Sequence, residues 1–271
     1  MIDTSVDGHV HTRLCHHAKG EMEEYVQAAI ARGLKRLIFL EHFESGINYM
    51  EATWLTEGEF ASYFEEGKRL QKKYQGRLSV GLGVEAGCNP AHKRDILGFL
   101  ERYQWDRIGV SCHFIAIDGQ HFAVLSSKEA NMKALGEWGI EKAATLYYEH
   151  LLDAVETIPG NVLCHLDAVL RYHPEACFTN RHLDLVREIF KVMAAKGMAL
   201  EVNTSGYKLR DEPFPALFLI KEAVGCGIQL VAGSDAHRPQ EVGRYFDRLA
   251  SLNLEARSEM RINEGTTPSP T

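Results

Sequence analysis

A single α/β barrel is the fold this sequence predicts, and three observations predict it. Short β-branched or continuously apolar runs alternate with longer amphipathic stretches, seven such units follow one another, and no Pro/Gly/Ser-rich linker divides them. The strand candidates are 6–11, 36–42 (RLIFLEH), 78–86 (LSVGLGVEA), 107–113 (RIGVSCH), 161–167 (NVLCHLD), 199–205 (ALEVNTS) and 228–237 (IQLVAGSDAH). Helix candidates lie at 21–32, 56–74, 90–103, 127–157, 179–196, 213–225 and 239–252. Several have end signals: Gly33 after the first, Thr56 before an acidic turn at Glu57 and Glu59, and Gly197 after the fifth. A doubly wound open sheet is the alternative. Its dinucleotide version is disfavoured because no phosphate-cradling fingerprint follows the first strand: Asp7-Gly8-His9-Val10-His11 is neither GxGxxG nor a P-loop.

The composition fits that reading. The chain has 271 residues, is 45% hydrophobic and 25% charged, and can build a full core, which excludes disorder and disulfide mini-scaffolds. A net charge of −7 gives no basic footprint, so no nucleic-acid partner is expected. No apolar run approaches the length of a membrane span. Six cysteines are scattered without a CxxC pair, and the first residues lack a basic n-region, so a cytoplasmic protein with free thiols is expected.

Among these features the 13 histidines stand out. They gather with carboxylates at strand ends: the first strand ends in His9 and His11, the second in Glu41-His42, the third in Glu85, the fourth in His113, the fifth in His165 and the seventh in Asp235 and His237. In a parallel barrel these carboxyl ends open on one face. Residues two apart on a strand point the same way, so HxH and DxH can serve one metal or two adjacent ones. Imidazole and carboxylate without thiolate suit Zn, Mn or Fe in a hydrolytic site. Alternation turns Cys112 and Cys164 away from the histidines beside them, so both are expected to pack outward as small apolar residues. Cys15 is a less favoured ligand than His17, and no thiol is placed as a nucleophile.

Taken in order, DGHVHTRLCHH, FLEH, GVE, SCHF, CHLD, LEVNTSG and GSDAH resemble the PHP (polymerase and histidinol phosphatase) family, and more narrowly its histidinol-phosphate phosphatases. The resemblance implies a distorted (β/α)7 barrel as one metal-dependent phosphoesterase domain over 1–262; the Thr-Thr-Pro-Ser-Pro composition of 263–271 predicts a frayed tail. The resemblance also implies two or three divalent ions, Zn, Mn or Fe. His9, His11, Glu85 and Asp235 would hold the first. Glu85 would bridge to a second held by His113 and His165, and His17, His42 and His237 would take the third. Family spacing selects His17 over His16. Where the family usually carries a basic pair after His165-Leu166-Asp167, this chain has Ala168-Val169-Leu170-Arg171, which leaves Arg171 for phosphate.

The implied reaction is hydrolysis of L-histidinol phosphate, a small substrate, by a metal-bridging hydroxide that attacks phosphorus within the Glu85 and Asp235 cluster. The ions' excess positive charge reconciles an acidic protein with phosphate binding. Arg171 could clamp the phosphate bidentately or be a surface residue. Asp167 or a nearby His could supply the leaving-group proton. Asn203, Thr204 and Ser205 could bond substrate or simply stabilise a turn, Glu41 could support His42, and Asp7 or Glu201 could orient imidazoles. Two alternatives stay open: a PHP phosphoesterase acting on another small ester, and a metal-binding protein without turnover.

Overall fold

In a computed structural model of the protein, residues 2–173 and 176–252 are described. The elements run β1 (Val6–Val10), α1 (Met22–Ala31), β2 (Arg36–Phe43), α2 (Glu57–Lys73), β3 (Ser79–Gly87), α3 (Lys93–Leu100) and β4 (Arg107–Ser111). A hairpin of β5 (Phe114–Ile117) and β6 (Gln120–Ala123) comes next, followed by α4 (Glu129–Trp138), α5 (Ile140–Thr157), β7 (Val162–Leu163) and α6 (Asn180–Lys196). The chain ends with β8 (Ala199–Asn203), α7 (Tyr207–Arg210), α8 (Leu217–Gly225), β9 (Leu230–Gly233) and α9 (Phe246–Ala250).

Seven strands form one parallel sheet in the order β1-β2-β3-β4-β7-β8-β9. The sheet curls until its edges meet, giving a nearly closed, distorted (β/α)7 barrel with helices outside. Among the described residues, backbone hydrogen bonds join the seam between β1 and β9 only at its carboxyl end. There Val10 bridges Ala236, His11 N donates to the Ala236 carbonyl and Asp235 N to the His9 carbonyl, each at 2.9 Å. Asp7 reinforces it, its carboxylate accepting from Ser234 N (3.0 Å) and Gly243 N (2.7 Å).

Strand alternation sorts the core into two layers. On β2, Leu37, Phe39 and Phe43 face the helices, whereas Ile38 and Leu40 face the barrel axis with Val162, Cys164 and Ala199. The outer layer is aromatic: Phe43 stacks on Phe99 at 3.7 Å, and the fully buried Tyr63 donates to the Gly83 carbonyl at 2.9 Å. Each such ring stabilises the fold by roughly 1.5–3 kcal/mol through burial. The inner layer is tight. A Cβ added to Gly83 would stand 2.6 Å from the Arg107 carbonyl, so the β3–β4 approach there requires glycine.

The structure corrects several expected boundaries. The 127–157 helix is two helices, because Gly139 sits at φ 109°, which no helix interior admits. The hairpin after β4 was not expected, although Asp118-Gly119 at its tip is a turn dipeptide with both residues at positive φ (49° and 81°). The 90–103 segment opens with a 3-10 turn at Pro90–His92 before α3, and 239–252 contains a 3-10 turn at Pro239–Glu241 and the short α9. The expected tail at 263–271 lies outside the described residues. Among the described residues, no helix is long and apolar enough to cross a membrane.

Candidate metal centre

The polar end of the barrel is assembled from strand ends. β1 delivers His9 and His11, β2 delivers His42, and β3 delivers Glu85 from within its ladder, opposite His42. His113 lies two residues beyond the end of β4. The chain leaves β7 and β9 in left-handed conformations at His165 (φ 24°) and Asp235 (φ 51°). Such backbone costs of order 1–3 kcal/mol per residue and is kept where surrounding contacts enforce it.

Glu85 is the centre. Its Oε2 lies 3.2 Å from His9 Nε2, 3.4 Å from His11 Nε2 and 3.0 Å from His42 Nδ1. Its Oε1 lies 3.1 Å from His113 Nε2 and 2.8 Å from His165 Nε2. One fully buried carboxylate therefore faces five imidazoles, split between its two oxygens. Asp235 Oδ1 is 3.4 Å from His11 Nε2 and 3.5 Å from His237 Nδ1. At the outer rim His237 Nε2 meets His17 Nε2 at 2.8 Å, and His42 stacks on His11 with centroids 4.0 Å apart.

An outer ring of acceptors aims these rings. His9 Nδ1 donates to Glu201 Oε1 at 2.6 Å, and His113 Nδ1 to Glu44 Oε1 at 2.6 Å. His17 Nδ1 donates to the Cys15 carbonyl (2.9 Å) and His237 Nδ1 to the Asp235 carbonyl (3.0 Å). With Nδ1 facing an acceptor, all four rings turn Nε2 to the centre, the nitrogen left for a metal. Glu201 has room because Gly233 lacks a side chain: a Cβ there would lie 2.0 Å from Glu201 Oε1.

The electrostatics follow from crowding. Burial pushes Glu85 towards the neutral acid, but His113, His9, His42 and His165 outweigh it and hold the carboxylate well below the usual range. Asp235 is held down in the same way, its bond to His11 and the charge of His9 overcoming burial. Burial drives His42 down to about 3 and His11 well below the ordinary imidazole value. Burial opposes a proton on His113 as well, yet Glu85 and Glu44 raise it to about 10.

The donor set fits divalent cations. Two pairs of Nε2 atoms confront each other at 2.8 Å (His9 with His11, His17 with His237). The buried Nδ1 atoms of His11 and His165 have no hydrogen-bond partner, and His42 Nδ1 faces only the Glu85 carboxylate. So many nitrogen lone pairs around two carboxylates match the borderline ligand chemistry of Zn, Mn and Fe.

Other candidate residues fall elsewhere. His16, at φ 65°, turns away towards Glu59 (3.3 Å). Arg171 lines the cavity above the cluster, its guanidinium 4.8 Å from the Phe214 ring and 3.7 Å from Asp235 Oδ2, with its buried Nε unpartnered. Asn203 and Ser205 do not line that cavity. Asn203 Nδ2 donates to Glu201 Oε2 at 3.1 Å, Ser205 Oγ donates to Asn203 Oδ1 at 2.6 Å, and Arg171 NH2 reaches Ser205 Oγ at 3.4 Å. Asp167, the candidate proton donor, points away and is engaged by Arg210 (2.9 Å) and Ala216 N (2.9 Å). Glu41 does not support His42. It accepts from Thr12 N (2.9 Å) and Thr12 Oγ1 (2.6 Å), and burial lifts its pKa to about 8. Cys112 packs outward as expected, but Cys164 faces the barrel axis within donor reach of His9 and Glu85, and Cys15 lies beside His11, His42 and His237. Glu44 was not anticipated; no spacing rule marks a loop carboxylate after β2.

A cavity of about 300 Å³ opens over the cluster, walled by His17, His42, His113, Arg171, Tyr49 and Phe114. With this geometry in view, comparison with known proteins is direct. The PHP domain pattern matches residues 7–205, and a PHP-associated pattern matches residues 222–251. A Deinococcus radiodurans protein named "Probable histidinol-phosphatase" is 33% identical over 255 residues, covering 91% of this chain and 92% of that one. A crystal structure from Listeria monocytogenes has a TM-score of 0.82 at 21% identity, covering 90% of this chain and 99% of the other. A Lactococcus lactis histidinol phosphate phosphatase, solved with Zn, L-histidinol and phosphate, has a TM-score of 0.71 at 22% identity, covering 92% and 94%. The chain belongs to the PHP domain family, in the branch whose curated members are named histidinol-phosphatases.

Proposed function

We propose that this protein hydrolyses L-histidinol phosphate to L-histidinol and phosphate with two or three divalent cations, Zn, Mn or Fe, at the barrel mouth. The observation that carries the reading is Glu85, whose two oxygens serve different imidazole groups, as a bridging carboxylate must. His9, His11 and Asp235 would hold one ion with Glu85, and His113 and His165 a second with the same carboxylate. His17, His42 and His237 would hold a third. Such ions, when bound, polarise the phosphoryl oxygens and lower the pKa of water.

The chain's own residues do the rest. Arg171 extends an unpartnered buried Nε–H over the cluster, a donor fitted to a phosphoryl oxygen. Phe214 stacks on its guanidinium, and Ser205, fixed by Asn203, accepts from it, so the clamp is held before substrate arrives. Glu201 and Glu44 keep the His9 and His113 tautomers fixed. Asp167 is committed to Arg210 and so is not free to protonate the leaving alkoxide. At the outer wall Tyr49 and Phe114, with rings 5.2 Å apart, offer an aromatic face to the substrate imidazole, while the Glu51 carboxylate at the same rim is paired with Lys128.

The test is phosphate release from histidinol phosphate and from small aryl and sugar phosphates, using protein stripped of metal and reloaded with Zn, Mn or Fe. Histidinol phosphate should be preferred by at least about 100-fold in kcat/KM. Equal rates across the panel would withdraw the substrate and keep the phosphomonoesterase.

A further inference from the structure

A second group of donors converges outside the barrel mouth, on the outer wall between the sheet and α5. Gly87 of β3 pairs with Ser111 of β4, and Cys88 N continues the ladder by donating to the Ser111 carbonyl at 2.8 Å. Cys88 and Cys112 therefore leave adjacent strands at the same level, and their thiols lie against each other. His150 of α5 reaches them from above. One ring nitrogen of His150 and the two sulfurs all lie within 4.8 Å of one another. Cys88 is 3% and Cys112 0% exposed, and His150 Nδ1 is shut off from water without a hydrogen-bond partner.

A thiol pair in a strand–helix seam is ordinary packing. An imidazole turned onto that pair with a buried, unpartnered nitrogen is not, because buried ring nitrogens are normally satisfied. We propose that Cys88, Cys112 and His150 form a metal site separate from the mouth, taking a thiophilic d10 cation such as Zn²⁺. Two sulfurs and one imidazole nitrogen select such an ion over Mn or Mg, and leave a coordination position for a further donor. Binding releases the two thiol protons and takes the imidazole neutral. The filled site ties the carboxyl ends of β3 and β4 to α5, directly behind His113, which adjoins Cys112 in the chain. It does not depend on the substrate proposed above.

The test is cobalt substitution of the stripped full-length protein, because Co²⁺ bound by thiolate absorbs through sulfur-to-metal charge transfer and Co²⁺ bound by imidazole and carboxylate does not. Wild type should show the band and hold about one more equivalent of metal than C88S/C112S, which should lose the band. C15S and C164S, which remove the buried thiols beside the mouth, should keep it. Equal metal content and an equal band in C88S/C112S would overturn the proposal, as would a band lost only in C15S or C164S. Should C88S/C112S not fold, H150Q carries the test alone: affinity for the thiolate-bound Co²⁺ should fall at least about 10-fold, and unchanged affinity refutes the site.

Discussion

The two halves of the barrel interior come from the same strands and have opposite chemistry. In the lower half, Ile38, Leu40, Val162 and Ala199 close in an apolar plug, with glycines on β3 letting the strands approach. In the upper half, His42 follows Leu40 by two residues and Glu85 follows Gly83 by two, on the same inward face. One period of alternation separates a packed core from a cluster of imidazoles. The lower half holds the strands so rigidly that the upper half can keep like groups at contact distance, at an energetic cost the plug and the helix layer offset.

The sharpest way to break the upper half without the lower is Glu85→Gln. It keeps the shape but removes the charge facing five imidazoles. Phosphatase activity should fall by at least about 1,000-fold and bound metal should drop, while circular dichroism stays native. Retained activity would mean that chemistry resides elsewhere. The converse is Gly83→Ala, which should destabilise the protein by about 1–3 kcal/mol in urea titration and leave metal stoichiometry unchanged in the folded fraction. Loss of metal from the folded fraction of Gly83→Ala would show that the halves are not separable.

Smaller effects belong to the carboxylates behind the rings. Glu201→Gln and Glu44→Gln should each reduce metal affinity about 10- to 100-fold, read by competition with a chelator, with little change in melting temperature. Indifference of both would reduce the outer ring to packing. The smallest effect is a pH dependence at Glu41. Its folded pKa of about 8 lies above the ordinary 4.5, because burial favours the neutral acid. The stability this gives is full below about pH 4.5 and is lost as pH rises through about 8. Glu41→Gln mimics the neutral acid, so its melting temperature should fall less than that of wild type between about pH 6 and 9; parallel curves would contradict the shift.

The lower half and the imidazole positions were legible in the sequence, because strand period and strand-end placement are local properties. His9, His11, His42 and Glu85 needed only alternation and a common carboxyl face. Cys164 was misread for a local reason as well: β7 is two residues long and His165 leaves it in a left-handed conformation, so alternation does not carry across. What could not be read are partnerships across the fold. Asp167 looked like a free acid beside His165 until Arg210, far along the chain, occupied it. Glu44 gained its meaning from His113, and Glu201 gained its room from Gly233.

The seam between β1 and β9 has a mechanical consequence. Among the described residues, backbone hydrogen bonds cross that seam only at the level of His9, His11, Asp235 and Ala236, with Asp7 fastening the same edge. Tension applied between the first and last strands would load those few bonds first, parting His9 and His11 from Asp235 before any helix is stripped from the wall. Under force, the mouth should fall silent while most of the barrel is still wound.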